Sequence, residues 1–318
     1  MRQRFLCVLA LTLASSCSRC SDQHVVSGEH AYTRCRALPP SVASEQRVGP
    51  LTFRLRQRTL EISGLRRPAL LAAFAGPGPG PAPSSVAFSA LAGERPDLLI
   101  ALGDMGDSDA VARATVRGLA AGGIPTLLLA GARDTPERLA AALSAEPGSV
   151  LEVSGLDAVR IDNDTFVPLA GTRLGRYALA DTACGFGADD LEALAAALGP
   201  RKAGRRWLLA WEAPAGGPAA SVVDAGDAEL ERFAQTIGAR GGLFAWPSSQ
   251  AGRAFAAELQ ARVLPGAAGR ADLQLVVPRL TPPALERADG SRVPPGYALL
   301  RLDSAGLQLV AIRELPPS

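Results

Sequence analysis

Acidic side chains follow two apolar segments of the chain, at the points where those segments end. Asp104 and Asp107 follow the apolar run 97–102, and Asp134 follows the apolar run 124–130. Parallel strands end at a common sheet edge, where ligands of open α/β sheets bind. Carboxylate oxygens are the ligands that hard divalent cations prefer. The spacing therefore predicts that the three acids converge at one sheet edge, where a metal site could form.

The same acids also have a structural interpretation, which we favour at this point. Asp104 and Asp107 precede the helical pattern that starts near Ser108, so they could cap that helix. Asp134 precedes a second helix start and could cap it or pair with Arg133. On this interpretation, replacing Asp104 by alanine costs about 1 kcal/mol of stability and changes no activity.

Histidine is almost absent from the chain. The two histidines, His24 and His30, both lie near the N-terminus, and none follows them. Histidine is the most common metal ligand and general base near neutral pH. The composition therefore argues against a histidine-dependent hydrolase in the body of the chain.

Composition and charge place the chain among ordinary globular proteins. It has 318 residues, of which 47% are hydrophobic and 20% charged, and its net charge is +2. The bases and acids are interspersed, so no basic stripe for nucleic acid is visible. One short basic cluster is interpreted as a solvated turn; its members are Arg201, Lys202, Arg205 and Arg206.

The N-terminus has the pattern of an export signal. Two arginines within residues 1–4 precede an apolar run over 5–14, which is too short to span a bilayer comfortably. The following Ala14-Ser15-Ser16-Cys17 resembles the bacterial lipobox. That resemblance implies a signal peptide over 1–16 and a lipid on Cys17, with a polar tether over 17–47 and the main domain over 48–318. The serine after Cys17 suits sorting to an outer membrane, facing the periplasm or the cell surface.

The remaining cysteines suit an oxidising compartment, where disulfides persist. Cys20 and Cys35 both lie in the polar N-terminal segment, so we predict that they pair. Cys184 would then stay reduced and buried. Three thiols permit three single pairings, so the other two pairings stay open.

Strand and helix patterns alternate along the body of the chain, which is the signature of a layered α/β domain. A closing pair of strands reads as an antiparallel hairpin. The Pro-Gly segment 77–83 reads as a surface loop. Strands are predicted at 52–62, 69–75, 97–102, 124–130, 150–153, 207–211, 242–246, 273–277, 297–302 and 307–312, a hairpin at 159–169, and helices at 109–122, 135–143, 189–198, 228–237 and 255–263.

Two sequence blocks resemble the calcineurin-like metallophosphoesterases. They are PDLLIALGDMGDSD at 96–109 and GIPTLLLAGARDTPERL at 123–139, with weaker correspondence in WLLAWEAP at 207–214 and GGLFAWPSSQAG at 241–252. The resemblance spans about residues 60–312. It implies a layered α/β sandwich of mixed sheets flanked by helices. In the family, this fold carries a two-metal site for phosphoester hydrolysis.

The chain departs from the family pattern at the first and third motifs. Asp104 matches the bridging aspartate of the second motif. The first motif's aspartate and histidine are absent from the strand end at 75–77. Ala132 replaces the metal-ligand asparagine, and Arg133 replaces the catalytic histidine. Asp134 matches a residue that orients this histidine in the family.

The later motifs have lost their histidines too. Trp211 or Glu212 stands where a ligand histidine is expected, and Trp246 stands where the last histidine pair should be. Both tryptophans could equally be packing residues at strand ends. We therefore expect no metal site and no catalytic residue of the family's kind.

Three hypotheses remain. The leading one is a non-catalytic binding or scaffolding module of the cell envelope, whose cleft, lined by Arg133, Trp211 and Trp246, holds an anionic ligand or an envelope protein. The alternative is a divergent phosphohydrolase that binds Mn²⁺ or Mg²⁺ through carboxylates alone, since oxygen ligands suit those metals. Its ligands would be Asp104, Asp107, Asp134 and Glu212. A purely structural envelope lipoprotein is the third.

Overall fold

A computed structural model describes the chain over residues 44–78, 80–146, 148–173, 183–200, 204–214, 227–245, 262–265, 271–281, 285–286 and 292–315. The strands are β1 (Glu45–Val48), β2 (Leu51–Arg56), β3 (Thr59–Ser63), β4 (Ala69–Ala75), β5 (Leu98–Leu102), β6 (Thr126–Leu129), β7 (Val150–Glu152), β8 (Ala158–Ile161), β9 (Asp164–Leu169), β10 (Thr172–Arg173), β11 (Gly185–Phe186), β12 (Arg205–Ala210), β13 (Ala239–Phe244), β14 (Arg262–Pro265), β15 (Ala271–Val276), β16 (Leu285–Glu286), β17 (Arg292–Val293), β18 (Gly296–Asp303) and β19 (Gly306–Glu314). The helices are α1 (Ser85–Gly93), α2 (Asp109–Ala121), α3 (Pro136–Ala145), α4 (Ala188–Leu198) and α5 (Ala228–Thr236).

Most of these strands belong to two large mixed sheets. The six-stranded sheet has the order β19-β18-β4-β5-β6-β7, with β4 to β7 parallel and the β18–β19 hairpin antiparallel. The nine-stranded sheet has the order β1-β2-β3-β8-β9-β12-β13-β15-β14, with β9, β12, β13 and β15 parallel. Two short two-stranded sheets, β10–β11 and β16–β17, complete the described strands.

The apolar side chains form two clusters on either side of the nine-stranded sheet. The larger cluster fills the space between the two sheets and includes apolar residues of α1, α2 and α3. The smaller cluster joins β9, β12 and β13 to α4 and α5. Burial of these continuous apolar runs is the main favourable term in folding such a layered domain.

Local sequence explains the helix starts near the site. The Ser108 side chain accepts a hydrogen bond from the Val111 N–H at the start of α2. The Thr135 side chain accepts one from the Arg138 N–H at the start of α3, with proline at the first helical position. Both helix starts were predicted.

Several element predictions differ from the structure. The segment 52–62 is a hairpin rather than one strand, because it turns at Gln57, whose φ is +54°. Strand β1 begins at Glu45 and pairs with β2, so residues 45–47 of the expected tether belong to the sheet.

Helix α1 was not predicted from the sequence. The expected helix 255–263 lies outside the described residues up to 261, and its last two residues are in β14. No helix of the described chain is long and apolar enough to cross a membrane.

Two members of the basic cluster, Arg205 and Arg206, have structural roles, which corrects their interpretation as part of a solvated turn; Arg201 and Lys202 lie outside the described residues. Arg205 and Arg206 are the first two residues of β12. The Arg206 guanidinium is buried and donates to the carbonyl oxygens of Leu198, Gly199 and Ile237, at the C-terminal ends of α4 and α5. A cation at a helix C-terminus satisfies carbonyls that have no partner within the helix.

A buried aspartate joins the two sheets at the end where β9 and β12 begin. Asp164 accepts hydrogen bonds from the Arg205 Nε (2.7 Å) and Nη2 (2.8 Å), the Trp207 indole (2.8 Å) and the Arg67 Nη2 (2.7 Å). Both arginines also donate to the carbonyl oxygen of Asp303, in the β18–β19 hairpin of the other sheet. Burial raises the pKa of Asp164, but the donors outweigh it and hold that pKa below its ordinary value.

We predict that Asp164→Ala lowers the free energy of unfolding by about 2–3 kcal/mol, because it removes the shared acceptor of two half-buried guanidinium groups and of the buried Trp207 indole. Urea denaturation at neutral pH measures the loss. Because the folded pKa is lowered, the contribution is present above about pH 4 and disappears as the pH falls through that pKa.

The matched control is Glu45→Ala. Glu45 forms an ion pair with Arg54, and both side chains are 46% exposed, so solvent screens the pair and we expect little change. An Asp164→Ala variant as stable as the control would show that the cluster does not join the sheets.

Cys184 is disulfide-bonded, so the prediction that it stays reduced is wrong. It is fully buried, and its backbone N–H donates to the carbonyl oxygen of Asp134, at 3.3 Å. The other four cysteines, including Cys20 and Cys35, lie outside the described residues. Their predicted pairing with each other stays a prediction, and it is the alternative to a bridge from either of them to Cys184.

We expect peptide mapping of the unreduced mature protein to find Cys184 in a bridge. Reduction, or the Cys184→Ser variant, should lower the free energy of unfolding by about 2–4 kcal/mol, because the bridge restricts the unfolded chain. Complete alkylation of Cys184 before reduction would contradict the bridge. Alkylation of the variant identifies the thiol that the bridge had protected.

Candidate functional site

The predicted site lies where β4, β5 and β6 end, against the loop that follows β12. The strand ends are packed closely: the Gly76 N–H donates to the Gly103 carbonyl oxygen at 3.0 Å. The Trp211 ring lies against Gly103, where an added Cβ would be 2.5 Å from the indole Cδ1. Gly103 also has a φ of +68°, a conformation that favours glycine. The two sheets therefore meet directly at this edge.

Asp104 is the central acid of this edge. It is 6% exposed, and its Oδ1 accepts a hydrogen bond from the Arg133 backbone N–H at 3.0 Å. The Trp211 indole donates a second hydrogen bond to the same carboxylate. Burial raises the pKa of Asp104, and these two donors and the nearby guanidinium groups oppose that shift. Its carboxylate is thus held by the protein's own donors.

The capping interpretation of the three acids is wrong. The hydroxyl of Ser108 caps α2, while Asp104 points into the site and Asp107 is exposed. The hydroxyl of Thr135 caps α3. Replacing Asp104 should therefore disturb the buried site instead of a helix end.

Asp134 ties the two site loops together. It is fully buried, and its oxygens accept from the backbone N–H groups of Met105 (2.9 Å) and Gly131 (2.8 Å). Burial and the charge of Asp104 raise the pKa of Asp134 to about 7, against these hydrogen bonds. The side chain therefore joins the loops that follow β5 and β6. It does not pair with Arg133, so that sequence interpretation is wrong.

Two arginines flank Asp104. Arg133 follows β6, and its charge and that of Arg279, three residues beyond β15, both lower the pKa of Asp104. Burial, followed by the charge of Arg133, lowers the pKa of the Arg279 guanidinium. Sequence analysis did not identify Arg279 as a site residue. It follows the predicted apolar strand 273–277, however, just as the site acids follow the ends of their strands.

The Pro-Gly loop after β4 is part of this site, rather than a simple surface connector. Pro77 and Gly78 are buried, and the Gly78 N–H donates to the Asp104 carbonyl oxygen at 2.9 Å. An added Cβ on Gly78 would lie 3.3 Å from the Arg279 guanidinium, and the φ of Gly78 is +61°. The loop thus forms the surface on which Arg279 rests.

Glu212 is buried next to Trp211 but has other partners. Its Oε2 accepts from the Thr172 hydroxyl at 3.1 Å and from the Arg173 backbone N–H at 3.4 Å. The Arg173 guanidinium pairs in turn with Asp227, which caps α5. The structure thus places Glu212 in a separate polar cluster around Arg173.

The predicted carboxylate-only metal set is not assembled. The structure brings Asp104 and Asp134 together, but Asp107 is exposed and Glu212 is held by Thr172 and Arg173. Within the described ranges, no group of three or more His, Cys, Asp or Glu side chains could hold a metal ion. The donors bound to Asp104 and the adjacent cations do not fit a two-metal centre.

The other predicted site residues lie outside the described part of the chain. They are Trp246 of the expected cleft, Cys17 of the expected lipid anchor, and the disulfide candidates Cys20 and Cys35. Of the expected cleft lining, Arg133 and Trp211 both donate hydrogen bonds to Asp104, through a backbone N–H and an indole respectively.

Comparisons with known proteins bear on the fold alone. No protein-family profile and no curated protein matches the sequence. The crystal structure of TT1561 of Thermus thermophilus is similar, with 18% identity and a TM-score of 0.50 over 77% of this chain and 99% of that one. A dimetal phosphatase from Danio rerio also matches, with 13% identity and a TM-score of 0.46 over 79% of this chain and 99% of that one. The predicted fold class is confirmed: the chain is a layered α/β sandwich of two large mixed sheets flanked by helices, and TT1561 shares this fold.

Proposed function

We propose that this protein is a non-catalytic binding or scaffolding module of the cell envelope, exported and anchored through a lipid on Cys17. The observation that carries the proposal is the state of Asp104. Its carboxylate matches the bridging aspartate of the metallophosphoesterases, yet it accepts hydrogen bonds from Arg133 and Trp211. The protein's own donors therefore occupy the position at which a metal pair would be bridged.

Electrostatics supports this proposal. A two-metal centre uses both cations to generate the nucleophile and to stabilise the phosphoryl oxygens. Here the permanent charges of Arg133 and Arg279 already act on Asp104. Two further divalent cations would be repelled by these two guanidinium groups in a partly buried site, where repulsion is poorly screened. The charge of Asp104 is thus already compensated by arginines without a metal.

Proton transfer is a second difficulty for a hydrolase. The body of the chain has no histidine, and Arg133 stands where the family has its catalytic one. A general acid or base contributes about 10²–10⁴-fold in rate, and arginine cannot give up a proton at neutral pH. Arg133 could stabilise negative charge but could not protonate a leaving group.

We predict no stoichiometric Mn²⁺, Mg²⁺ or Zn²⁺ in the purified mature protein, and no phosphomonoesterase or phosphodiesterase activity above background with any of them. Elemental analysis after dialysis against each metal tests the first statement. Hydrolysis of p-nitrophenyl phosphate and of bis(p-nitrophenyl) phosphate tests the second.

The decisive variants are Asp104→Ala and, as a matched control, Asp109→Ala, which removes an exposed acid five residues away. A metal-dependent turnover that Asp104→Ala abolishes and Asp109→Ala preserves would establish the carboxylate-only phosphohydrolase instead. Turnover that survives both changes would point to a contaminant.

The anchor gives a separate prediction. The lipobox-like Ala14–Cys17 segment leads us to expect a lipid on an N-terminal Cys17 in the mature protein, found by intact-mass and N-terminal peptide analysis. Cys17→Ala should leave the precursor unprocessed or move the protein out of the membrane fraction. Cys20→Ala is the control and should change neither. A mature N-terminus elsewhere, without lipid, would refute the anchor.

A further inference from the structure

We infer that Arg133 and Arg279 form a metal-independent binding site for a phosphoryl-type oxyanion beside Asp104. The inference rests on the proposed function, because it names the class of ligand that a non-catalytic module would hold at this edge. It assigns Arg279 a binding role that sequence reasoning missed.

The two guanidinium groups are placed by fixed elements of different sheets. Arg133 lies in the short loop between β6 and α3. Arg279 follows β15, and its backbone is held by a bridge to Ala75 and by a hydrogen bond from the Gly296 N–H to its carbonyl oxygen, at 2.8 Å. Its guanidinium lies against Gly78. A ligand between them would contact both halves of the sandwich.

Neither guanidinium has a protein partner in the part of the chain that the structure describes. No hydrogen bond and no ion pair within 4.0 Å joins either group to a described acid. By contrast, the guanidinium groups of Arg67 and Arg205 each donate to Asp164. Arg133 and Arg279 are both half-buried, so they are incompletely hydrated as well. Two cations in this state attract an anion.

The charges favour an oxyanion with several oxygens. Arg133 and Arg279 act on each other as like charges, and the charge of Asp104 acts on both in the opposite sense. Burial lowers the pKa of Arg279, so an anion between the two groups would relieve an existing electrostatic cost. Guanidinium groups bind phosphate through pairs of parallel N–H···O bonds. A phosphoryl group has three oxygens to share between two such groups.

This site would bind the oxyanion and leave it intact. The donors on Asp104 occupy the carboxylate, and no histidine is present in the body of the chain. Free phosphate, a soluble phosphate ester and the headgroup of an anionic lipid all carry such an oxyanion. Flotation with vesicles distinguishes the lipid headgroup from the soluble ligands.

Isothermal titration of the full mature protein with inorganic phosphate, in excess EDTA, is the direct test. We expect saturable one-to-one binding with a Kd on the order of 1 mM. Arg279→Gln and Arg133→Gln should each weaken it at least tenfold, as expected for the loss of a charged hydrogen-bonding group. Arg279→Lys keeps the charge but loses the planar donor pair, so its Kd for phosphate should lie between those of the wild type and Arg279→Gln.

The matched control is Arg56→Gln, which removes a 65% exposed arginine by the same substitution. It should bind phosphate as the wild type does. No saturable binding by the wild type, or equal weakening in Arg56→Gln, would overturn the site. If Arg279→Gln does not fold, as judged by thermal unfolding, Arg133→Gln decides alone, because Arg133 is not part of a sheet.

Flotation with vesicles identifies the source. Binding to phosphatidate-containing vesicles but not to phosphatidylcholine vesicles, lost in Arg279→Gln, would assign the site to a lipid headgroup. Phosphate binding without vesicle binding would assign it to a soluble oxyanion. Because these measurements use EDTA and no turnover, their failure is distinct from that of the proposed non-catalytic role, which falls if metal-dependent hydrolysis that requires Asp104 is found.

Discussion

The close approach of three strand ends determines what this protein's site can hold. Three glycines follow neighbouring parallel strands and leave no room for a side chain; they are Gly76, Gly103 and Gly131. A Cβ added to Gly76 would lie 2.3 Å from the Gly103 carbonyl oxygen, and a Cβ added to Gly131 would lie 2.5 Å from the Asp104 nitrogen. The loops therefore stack directly, and Asp104 is forced inside. A buried carboxylate must find charged or polar partners, because its desolvation is costly. Its hydrogen-bond partners here are the Trp211 indole and the Arg133 backbone amide, and the charges of Arg133 and Arg279 act on it as well.

Those partners come from both sheets, so the site depends on how the sandwich is held together. Trp207 is the third residue of β12 and Trp211 follows its last residue, and both side chains are buried in the larger apolar cluster. Each indole donates to a buried aspartate, Trp207 to Asp164 and Trp211 to Asp104. The two acids mark opposite ends of the sandwich interior. Strand β12 and the residue after it thus carry two polar attachments between the sheets, and a shift of β12 along its axis would break both of them.

The apolar strands could be predicted from the sequence because their signal is local. Strand β4 has the predicted bounds, and β5 and β6 are within two residues of theirs, since each is a continuous apolar run between turn residues. The starts of α2 and α3 follow equally from their caps. By contrast, the single strand predicted at 52–62 is a hairpin, because a two-residue turn of ordinary polar residues carries little turn signal.

The polar residues could be located but their partners could not. Asp104 and Asp134 lie at the predicted edge, yet whether they cap helices or tie loops together depends on contacts with residues distant in sequence. The same holds for Arg206, which was read as solvated and is buried against two helix ends. Arg279 is 146 residues from Arg133 in the chain, and only the order of strands in the sheets brings the two near Asp104.

The disulfide at Cys184 has a consequence for the distance between the site and a membrane. Its backbone bonds to Asp134, so a lipid on Cys17 would be connected to the site through whichever cysteine Cys184 pairs with. If Cys184 pairs with Cys20, three residues separate the bridge from the lipid on Cys17, about 10 Å when fully extended. If it pairs with Cys35, eighteen residues separate them, about 60 Å. The shorter linker is close to the Debye length of about 8 Å at physiological salt, so the surface charge of the bilayer would act on the site. The longer linker would allow the site to lie well beyond the range of that surface charge.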